Sequence, residues 1–396
     1  MVFGGVAEWS NAAVLKTVVG VSPPRVRISA PPRFGELAEL VECGGLENRC
    51  RRKTTGGSNP PLSVRILRQM KNFRIITIGC LIILAIGSVF SKAVAAASVI
   101  EPKVLVIIYN PMVEAENNRK LTEVFNWNDP KDLIAGYISD IEEASGGLVK
   151  YKAADTIEID GYPVKKDGFS YTDKSFLSSW RSRSGFHQPD EVDYNAIIEK
   201  FDIISRVERG EIDEVWLFAF PYAGFYESTM AGQGAFFCNS GPVPGTENCS
   251  RRFVIMGFNY ERGVDCMLED LCHRAESIMS RLYQNFSQED NLLAKFCLYD
   301  KVAPGRAACG NTHFAPNSIG DYEWGNNTYV ESSCDDWYNF PNLQGTSRQM
   351  NSKDWGGGDM RLHHKWWLKH LPKVSGETNG ISNNWWEYII DPNKAS

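Results

Sequence analysis

The sequence predicts an α+β fold in which several strands and helices precede one long final helix. Short apolar runs of β-branched and aromatic residues recur along residues 104–258, and helical repeats of apolar residues lie between and after them. The amino-acid composition then changes: seven of the eleven tryptophans lie between Trp324 and Trp386, among Asn, Gly and Asp. Residues 311–396 are therefore predicted to be an irregular lobe packed on the sheet. A three-layer α/β fold is the alternative.

The first 69 residues are expected to contribute nothing to the fold. Residues 14–17 followed by 25–28 echo residues 46–48 followed by 57–60. Amino-acid similarity does not explain this echo, but shared nucleotide strings read in different frames do, and those strings resemble a tRNA anticodon loop and T-arm. We interpret residues 1–69 as translated tRNA-gene sequence. A disordered leader rich in Pro, Gly and Arg is the alternative.

Residues 70–95 have the composition of a secretory signal peptide. A methionine and two basic residues precede an apolar run over residues 75–90, and small residues at 93–97 offer A-x-A cleavage sites. The run is short for a membrane span, and an uncleaved anchor is the alternative. The protein is therefore predicted to be secreted or extracytoplasmic, and to contact the membrane only through this signal.

The predicted α+β domain covers residues 96–310, and its elements follow from apolar spacing and from turn residues. A helix that Asp129-Pro130 opens and Gly146-Gly147 stops is predicted between the first two strands. Four segments are predicted as strands: the apolar runs at residues 104–109, 214–220 and 253–258, and the alternating segment at residues 149–159.

The later elements of this domain include the most regular helix of the chain. Residues 173–190 are predicted to be loop, residues 194–204 to be a helix, and the Gly-rich segment after Pro221 to be loop. From Val264 to Tyr283 the apolar residues form one stripe at helical spacing, which predicts a long amphipathic helix.

The charge of the exported part excludes some classes of partner. Residues 96–396 carry 29 basic and 43 acidic side chains, a net charge of −14. Binding to nucleic acid or to anionic membranes needs basic patches, and no basic cluster with interleaved aromatic residues occurs. No nucleic-acid partner is therefore expected.

Seven cysteines lie in the exported part, where disulfides can form. Cys238 and Cys249 bracket one Gly/Pro loop, and Cys297 and Cys309 bracket another, so we predict a bridge within each pair. Because seven is odd, at least one thiol is left over.

One face of the predicted long helix carries a cluster of polar residues. Glu269, His273 and Glu276 stand at positions i, i+4 and i+7, far from the apolar stripe. Residues at this spacing lie on one side of a helix, so these side chains are expected to lie close together. The alternative is an ordinary solvated face with a simple Glu269–His273 pair.

The order of elements and this helix resemble the zincin metallopeptidases over residues 102–283. In that family a long helix follows several strands and carries the motif HExxH. Here His273 matches the second metal-binding histidine, Glu269 replaces the first, and Asp270 replaces the catalytic glutamate. The resemblance implies a zincin-like twisted mixed sheet with a backing helix and a long active-site helix, a bound zinc ion and a peptidase-like hydrolase.

On this hypothesis Glu269 and His273 bind zinc, since a carboxylate can replace an imidazole as ligand. His313, in a loop after the predicted Cys297–Cys309 bridge, or Glu276 would complete the site. Catalytic zinc keeps three protein ligands and an open position, and Asp270 would be the general base. A polar loop histidine with no ligand role is the alternative for His313.

Aromatic residues in two segments are predicted to bind substrate. The loop after the third predicted strand carries Tyr222, Tyr226 and the acidic Glu227, which is also a predicted catalytic residue. Loops at the carboxyl end of a strand carry function disproportionately often. Trp366 and Trp367 lie in the C-terminal lobe between histidines. In both segments the alternative is that the rings pack in the core.

Two functions of different classes follow from these patterns. The first is a secreted, metal-dependent hydrolase acting on peptides. The second is a non-catalytic protein that binds carbohydrate or cell wall, because aromatic rings can stack on sugars while Asn and Asp bond the hydroxyls. A glycosidase with Glu227 and Glu261 as its carboxylate pair is a variant of the second. Residues 221–239 and 251–276 also resemble secreted bacterial proteins of unknown function.

Overall fold

A computed structural model describes residues 98–395. The interpretation of residues 1–69 as translated tRNA-gene sequence, and of residues 70–95 as a signal peptide, lies outside the described residues. Within residues 98–395, none of the helices combines the length and the apolar character that crossing a membrane requires.

The described chain alternates strands and helices up to its last third. The strands are β1 (Lys103–Tyr109), β2 (Met112–Val113), β3 (Arg119–Lys120), β4 (Lys152–Ile159), β5 (Glu214–Ala219), β6 (Ser228–Ala231), β7 (Phe253–Asn259), β8 (Val330–Ser332), β9 (Arg348–Met350), β10 (Lys373–Thr378) and β11 (Ile381–Asn384). The helices are α1 (Leu121–Phe125), α2 (Pro130–Ala144), α3 (Asp173–Ser182), α4 (Tyr194–Lys200), α5 (Ile203–Glu208), α6 (Val264–Tyr283), α7 (Leu292–Phe296), α8 (Met360–His370) and α9 (Trp386–Ile390). Short 3-10 helices lie at Glu114–Glu116, Cys334–Asn339, Ser352–Trp355 and Pro392–Lys394.

Five strands form the central sheet in the order β4-β1-β5-β7-β6. The pairs β4–β1, β1–β5 and β5–β7 are parallel. Strand β6 forms the edge beside β7 and is antiparallel to it. Every residue of β5 is buried, as is nearly all of β1. Continuous apolar runs of this kind are typical of parallel strands covered on both faces. The fold is thus mixed α/β with a mostly parallel sheet.

Helices α2 and α8 pack against α6. Helix α2 begins where Asp129 accepts a hydrogen bond from the backbone N–H of Lys131 at 2.8 Å, as its N-cap position favours. Helix α6 has the predicted bounds, and its apolar stripe is buried, including Leu268, Leu271 and Ile278. The stripe fixes the rotation of α6, so the opposite flank faces the C-terminal lobe.

Three elements differ from the sequence prediction. Residues 173–182 were predicted to be loop but form α3, because Thr172 caps the helix and Phe176 and Trp180 bury one face. Strand β6 was also predicted to be loop, since four residues give too short an alternation to recognise. The predicted helix over residues 194–204 is broken into α4 and α5 by Asp202, which has a left-handed φ of 50°.

The C-terminal lobe buries most of its tryptophans. Its two small sheets, β8–β9 and β10–β11, are antiparallel pairs. Among the seven tryptophans of this lobe, Trp366 is half-buried and the other six are buried. The lobe is therefore organised by large rings packed among short secondary-structure elements.

Candidate metal centre

Helix α6 supplies the first half of the candidate site. Glu269 and His273 lie one turn apart, and the exposed fractions of their side chains are 10% and 18%. Both side chains are therefore largely shielded from solvent. The sequence-based expectation that these residues lie close together is met, with Glu269 Oε1 3.9 Å from His273 Nε2.

The loop after Cys309 supplies the second half. Asn311 Oδ1 accepts hydrogen bonds from the backbone N–H groups of His313 and Phe314, which fixes a tight turn. Gly310 precedes it with φ +70°, and a Cβ there would lie 2.0 Å from the carbonyl oxygen of Phe314, so only glycine fits. The buried indole of Trp367 donates to the Gly310 carbonyl at 3.0 Å. The turn thus holds His313 over α6.

Three potential ligand atoms converge between these two segments. His313 Nε2 lies 3.0 Å from His273 Nε2 and 3.2 Å from Glu269 Oε1. Within residues 98–395, Glu269, His273 and His313 are the one group of three such residues whose ligand atoms all lie within 4.8 Å of one another. This group could hold a metal ion.

A carboxylate stands behind each histidine. His273 Nδ1 lies 3.3 Å from Glu276 Oε2, and His313 Nδ1 lies 3.1 Å from Asp321 Oδ1. Such carboxylates hold the proton on Nδ1 and leave the Nε2 lone pair for a metal, as in carboxylate–histidine–zinc arrangements. Glu276 therefore lies behind His273. It is not among the converging ligand atoms, although it was predicted as one residue that could complete the metal site.

The chemistry of the converging atoms fits a cation. In the tautomers with each proton on Nδ1, the two Nε2 atoms and the Glu269 carboxylate are all acceptors and repel one another, unless a proton on Nε2 or a bound cation lies between them. The Tyr322 hydroxyl is the donor beside them, 2.8 Å from Glu269 Oε1 and 3.0 Å from His313 Nε2. Two zinc–imidazole bonds of tetrahedral geometry place their nitrogens about 3.3 Å apart. A small divalent ion would relieve the repulsion.

The charges around the site also favour a positive occupant. Burial opposes the charged form of His273, but hydrogen bonds with Glu269 and Glu276 raise its pKa well above the usual value. Burial likewise opposes protonation of His313, yet Asp321 and Glu269 raise the pKa of that imidazole. The carboxyl of Glu269 shows the converse, because bonds from His273 and His313 outweigh burial and lower its pKa.

Two further acids, Asp270 and Glu227, were predicted to be catalytic. Asp270 is 7% exposed, and burial together with the charges of Glu227 and Glu269 raises its pKa well above the usual range. Glu227 is half-buried, accepts a hydrogen bond from the Asn239 amide, and its charge also raises the pKa of His273. Asp270 thus lies on the same helix as two of the ligand candidates, whereas the Glu227 side chain contacts Asn239.

Both predicted disulfides are wrong. Cys309 is bonded to Cys334, and Cys297 is a free thiol. Cys238 and Cys249 are also free and buried. The predicted pairings considered only short loops. The observed pair forms because the chain returns across the lobe, where the residue before Cys334 donates its backbone N–H to the carbonyl of residue 307.

The predicted substrate-binding rings are mostly occupied in packing. Trp367 is completely buried, so its predicted role as a surface on which substrate stacks is wrong. Trp366 is half-buried and packs against other aromatic rings. Tyr222 is 8% exposed and stacks on Phe186 with ring centroids 3.6 Å apart. Tyr226 is half-buried with its ring parallel to that of Tyr194.

Sequence reasoning missed Asp321 and Tyr322. They follow His313 by eight and nine residues in an irregular segment, so no periodicity marked them. Tyr322 has a left-handed φ of 59°, which is uncommon for a bulky residue and is often found at functional sites. His364 was noted in the sequence as flanking the tryptophans, and its Nε2 lies 3.2 Å from the carbonyl of Thr312. Burial lowers the pKa of His364 to about 4, so it is neutral.

No family model, characterised protein or solved structure matches the chain significantly. The function must therefore be inferred from the residues of the site and from their surroundings.

Proposed function

We propose that this protein is a metal-dependent hydrolase whose metal ion is held by Glu269, His273 and His313. The observation that carries the proposal is the convergence of their three ligand atoms within 4.8 Å. Glu276 and Asp321 would orient the two imidazoles. Three protein ligands of nitrogen and oxygen are typical of catalytic zinc, which keeps one further position open for substrate. Zinc is therefore the ion we expect.

The fold supports comparison with zincin metallopeptidases. A strand, a backing helix, further parallel strands and the long helix α6 follow in the order of that family, and α6 carries ligands one turn apart. Strand β6 lies at the antiparallel edge, beside the loop that carries Glu227. Because Glu269 stands in place of the first histidine, we propose a divergent, zincin-like enzyme. The disulfide is compatible with a secreted protein.

We assign the proton acceptor to Glu227. A divalent ion in the site would supply Lewis-acid activation of a water molecule and of a substrate carbonyl. Burial and the charges of Glu227 and Glu269 raise the pKa of Asp270, which suits a proton donor better than a base. Glu227 is more exposed and lies in a loop beside the sheet edge, so it can accept a proton from water entering the site.

A peptide bond is the substrate that this arrangement favours. The carboxylates of Glu227, Glu276 and Asp321 surround the site and would repel phosphate esters and other anions. The carbohydrate-binding alternative depended on exposed tryptophan rings, and six of the seven rings in the lobe are buried. No specific observation therefore favours it.

Metal analysis and peptide hydrolysis test the proposal together. Purified residues 96–396 should contain stoichiometric zinc, cleave a fluorogenic peptide library, and lose both zinc and activity to a chelator, with recovery on adding zinc. Glu227→Gln should keep the metal and lose turnover, because it removes only the proton acceptor. Asp270→Asn should retain part of the activity. Absence of stoichiometric metal in the wild type would refute the mechanism.

A further inference from the structure

The turn after β6 contains a residue in a rarely occupied backbone conformation. Asn239 has φ +55°, in the left-handed region. The flanking residues are tied to the start of β6, because Ser228 Oγ donates to the Cys238 carbonyl at 3.1 Å and Ser240 Oγ donates to the Ser228 carbonyl at 2.8 Å. A non-glycine residue in this region persists where its surroundings fix it, and such residues cluster at functional sites.

Asn239 also joins two parts of the candidate metal centre. Its backbone N–H donates to Ser277 Oγ at 3.1 Å, and Ser277 lies one turn after the metal-ligand candidate His273 on α6. Its side-chain amide donates to the carboxylate of Glu227. One residue therefore connects the helix that carries two ligands with the acid proposed as proton acceptor.

We propose that Asn239 is a positioning residue that holds the Glu227 carboxylate against the metal centre, at a fixed position relative to α6. The left-handed backbone directs the side-chain amide of Asn239 toward Glu227, while its backbone N–H keeps the hydrogen bond to Ser277 Oγ. Asn is among the few residues that adopt this backbone readily. The amide engages Glu227 Oε2 and leaves Glu227 Oε1 for a proton. This inference rests on the proposed function, which makes Glu227 the proton acceptor.

The orientation of Glu227 toward α6 follows from these two hydrogen bonds, because Asn239 makes both of them and its other partner, Ser277, lies on the helix that carries His273. A Glu side chain has three rotatable bonds, and an unrestrained one would spend much of its time in water. Because a misplaced catalytic group costs orders of magnitude in rate, holding this carboxylate should matter for turnover.

Glycine is the decisive substitution at this position. Asn239→Gly keeps the left-handed backbone and the N–H to Ser277, and removes only the amide that contacts Glu227. Asn239→Asp keeps the size and places a second carboxylate against Glu227. Asn379→Gly is a matched control, because Asn379 is an exposed left-handed asparagine in the turn between β10 and β11.

Zinc content, kcat, KM and the pH-dependent visible spectrum of the Co²⁺-substituted protein should be measured for each variant and for Glu227→Gln. We expect Asn239→Gly to keep its zinc and its KM, and to lose about tenfold to 100-fold in kcat, less than the roughly 100-fold to 10,000-fold that a general acid or base contributes, because the carboxylate itself remains. The pH midpoint of its Co²⁺ spectrum should move in the same direction as in Glu227→Gln. Asn239→Asp should be impaired at least as much, and Asn379→Gly should match wild type.

Two results would overturn the inference in different ways. If Glu227→Gln is impaired while Asn239→Gly matches wild type in kcat and in the Co²⁺ spectrum, Asn239 does not position the acid and the proposed function stands. If Glu227→Gln itself matches wild type, or the wild type binds no metal, the proposed function fails and the inference fails with it.

Discussion

The region of the central sheet, which ends with α6, and the C-terminal lobe of residues 311–396 form their buried cores in different ways. The sheet region uses continuous apolar strands such as β1 and β5, and one amphipathic helix, α6. The lobe uses large rings on short or irregular segments, for example Trp355 and Trp385, both almost fully buried. Residues close in sequence therefore define the first core, whereas distant residues define the second.

The candidate metal centre lies where these two regions meet. Glu269 and His273 come from one turn of α6, so local geometry brings them together. His313 and Asp321 come from the lobe and reach the site only because the lobe folds against α6. The comparison teaches that a site can be half visible in a sequence, since only its helical half leaves a periodic pattern.

The largest expected effect is loss of metal on removing a ligand from either region. His273→Ala and His313→Ala should each lower zinc affinity more than the roughly 10–100-fold that outer partners contribute, because each removes one of three converging atoms. His187→Ala is the control, since His187 pairs with Asp167 in a different contact. Zinc content by elemental analysis checks this. Metal retained in either ligand variant would break the view of a shared site.

The second prediction concerns the core of the lobe. Trp367→Ala should destabilise the protein by about 3–5 kcal/mol, the usual cost of deleting a buried tryptophan, because its ring is fully buried against Phe296 and its indole bonds Gly310. Trp366→Ala, at the half-buried neighbour, should cost clearly less. Denaturant unfolding of the metal-free proteins measures both. Equal losses would mean that the lobe does not depend on its buried rings.

The third prediction tests how the lobe holds its ligand loop. The Cys309–Cys334 bond closes the segment that carries His313 and Asp321. Replacing both cysteines by serine should lower the free energy of unfolding by roughly 3 kcal/mol in the chain-entropy model. Zinc affinity should fall, whereas the structure of the sheet should change less. Thiol counting on unfolded, unreduced residues 96–396 should find five thiols. Seven would show that the bridge is absent.

The smallest effects are expected from the carboxylates behind the ligands. Glu276→Gln in the helix and Asp321→Asn in the loop should each weaken zinc binding about 10–100-fold, because each keeps the shape and removes the charge that holds its histidine. Competition with a chelator of known affinity measures this. If only one variant is affected, the two histidines are not held in equivalent ways.

The regular elements of the sheet region were predictable, and the exceptions have local causes. Helix α6 was predicted because its apolar residues repeat at helical spacing, and strand β1 because its apolar run is short and rich in β-branched residues. Helix α3 was missed because its serines resemble loop composition, whereas its Thr172 cap and the burial of Phe176 decide its structure. Strand β6 is defined by its pairing with β7 and has no signal of its own.

The sequence by itself determined the position of α6, the shared face of Glu269 and His273, and the choice of His313 as the best third ligand. Only the tertiary structure decided that His313 reaches these residues, that Asp321 and Tyr322 join it, and that Cys309 bonds Cys334 and not Cys297. The reason is physical. A helix relates its residues through a fixed rise and rotation, whereas an irregular segment has no such rule, so its contacts depend on how the rings of the lobe pack.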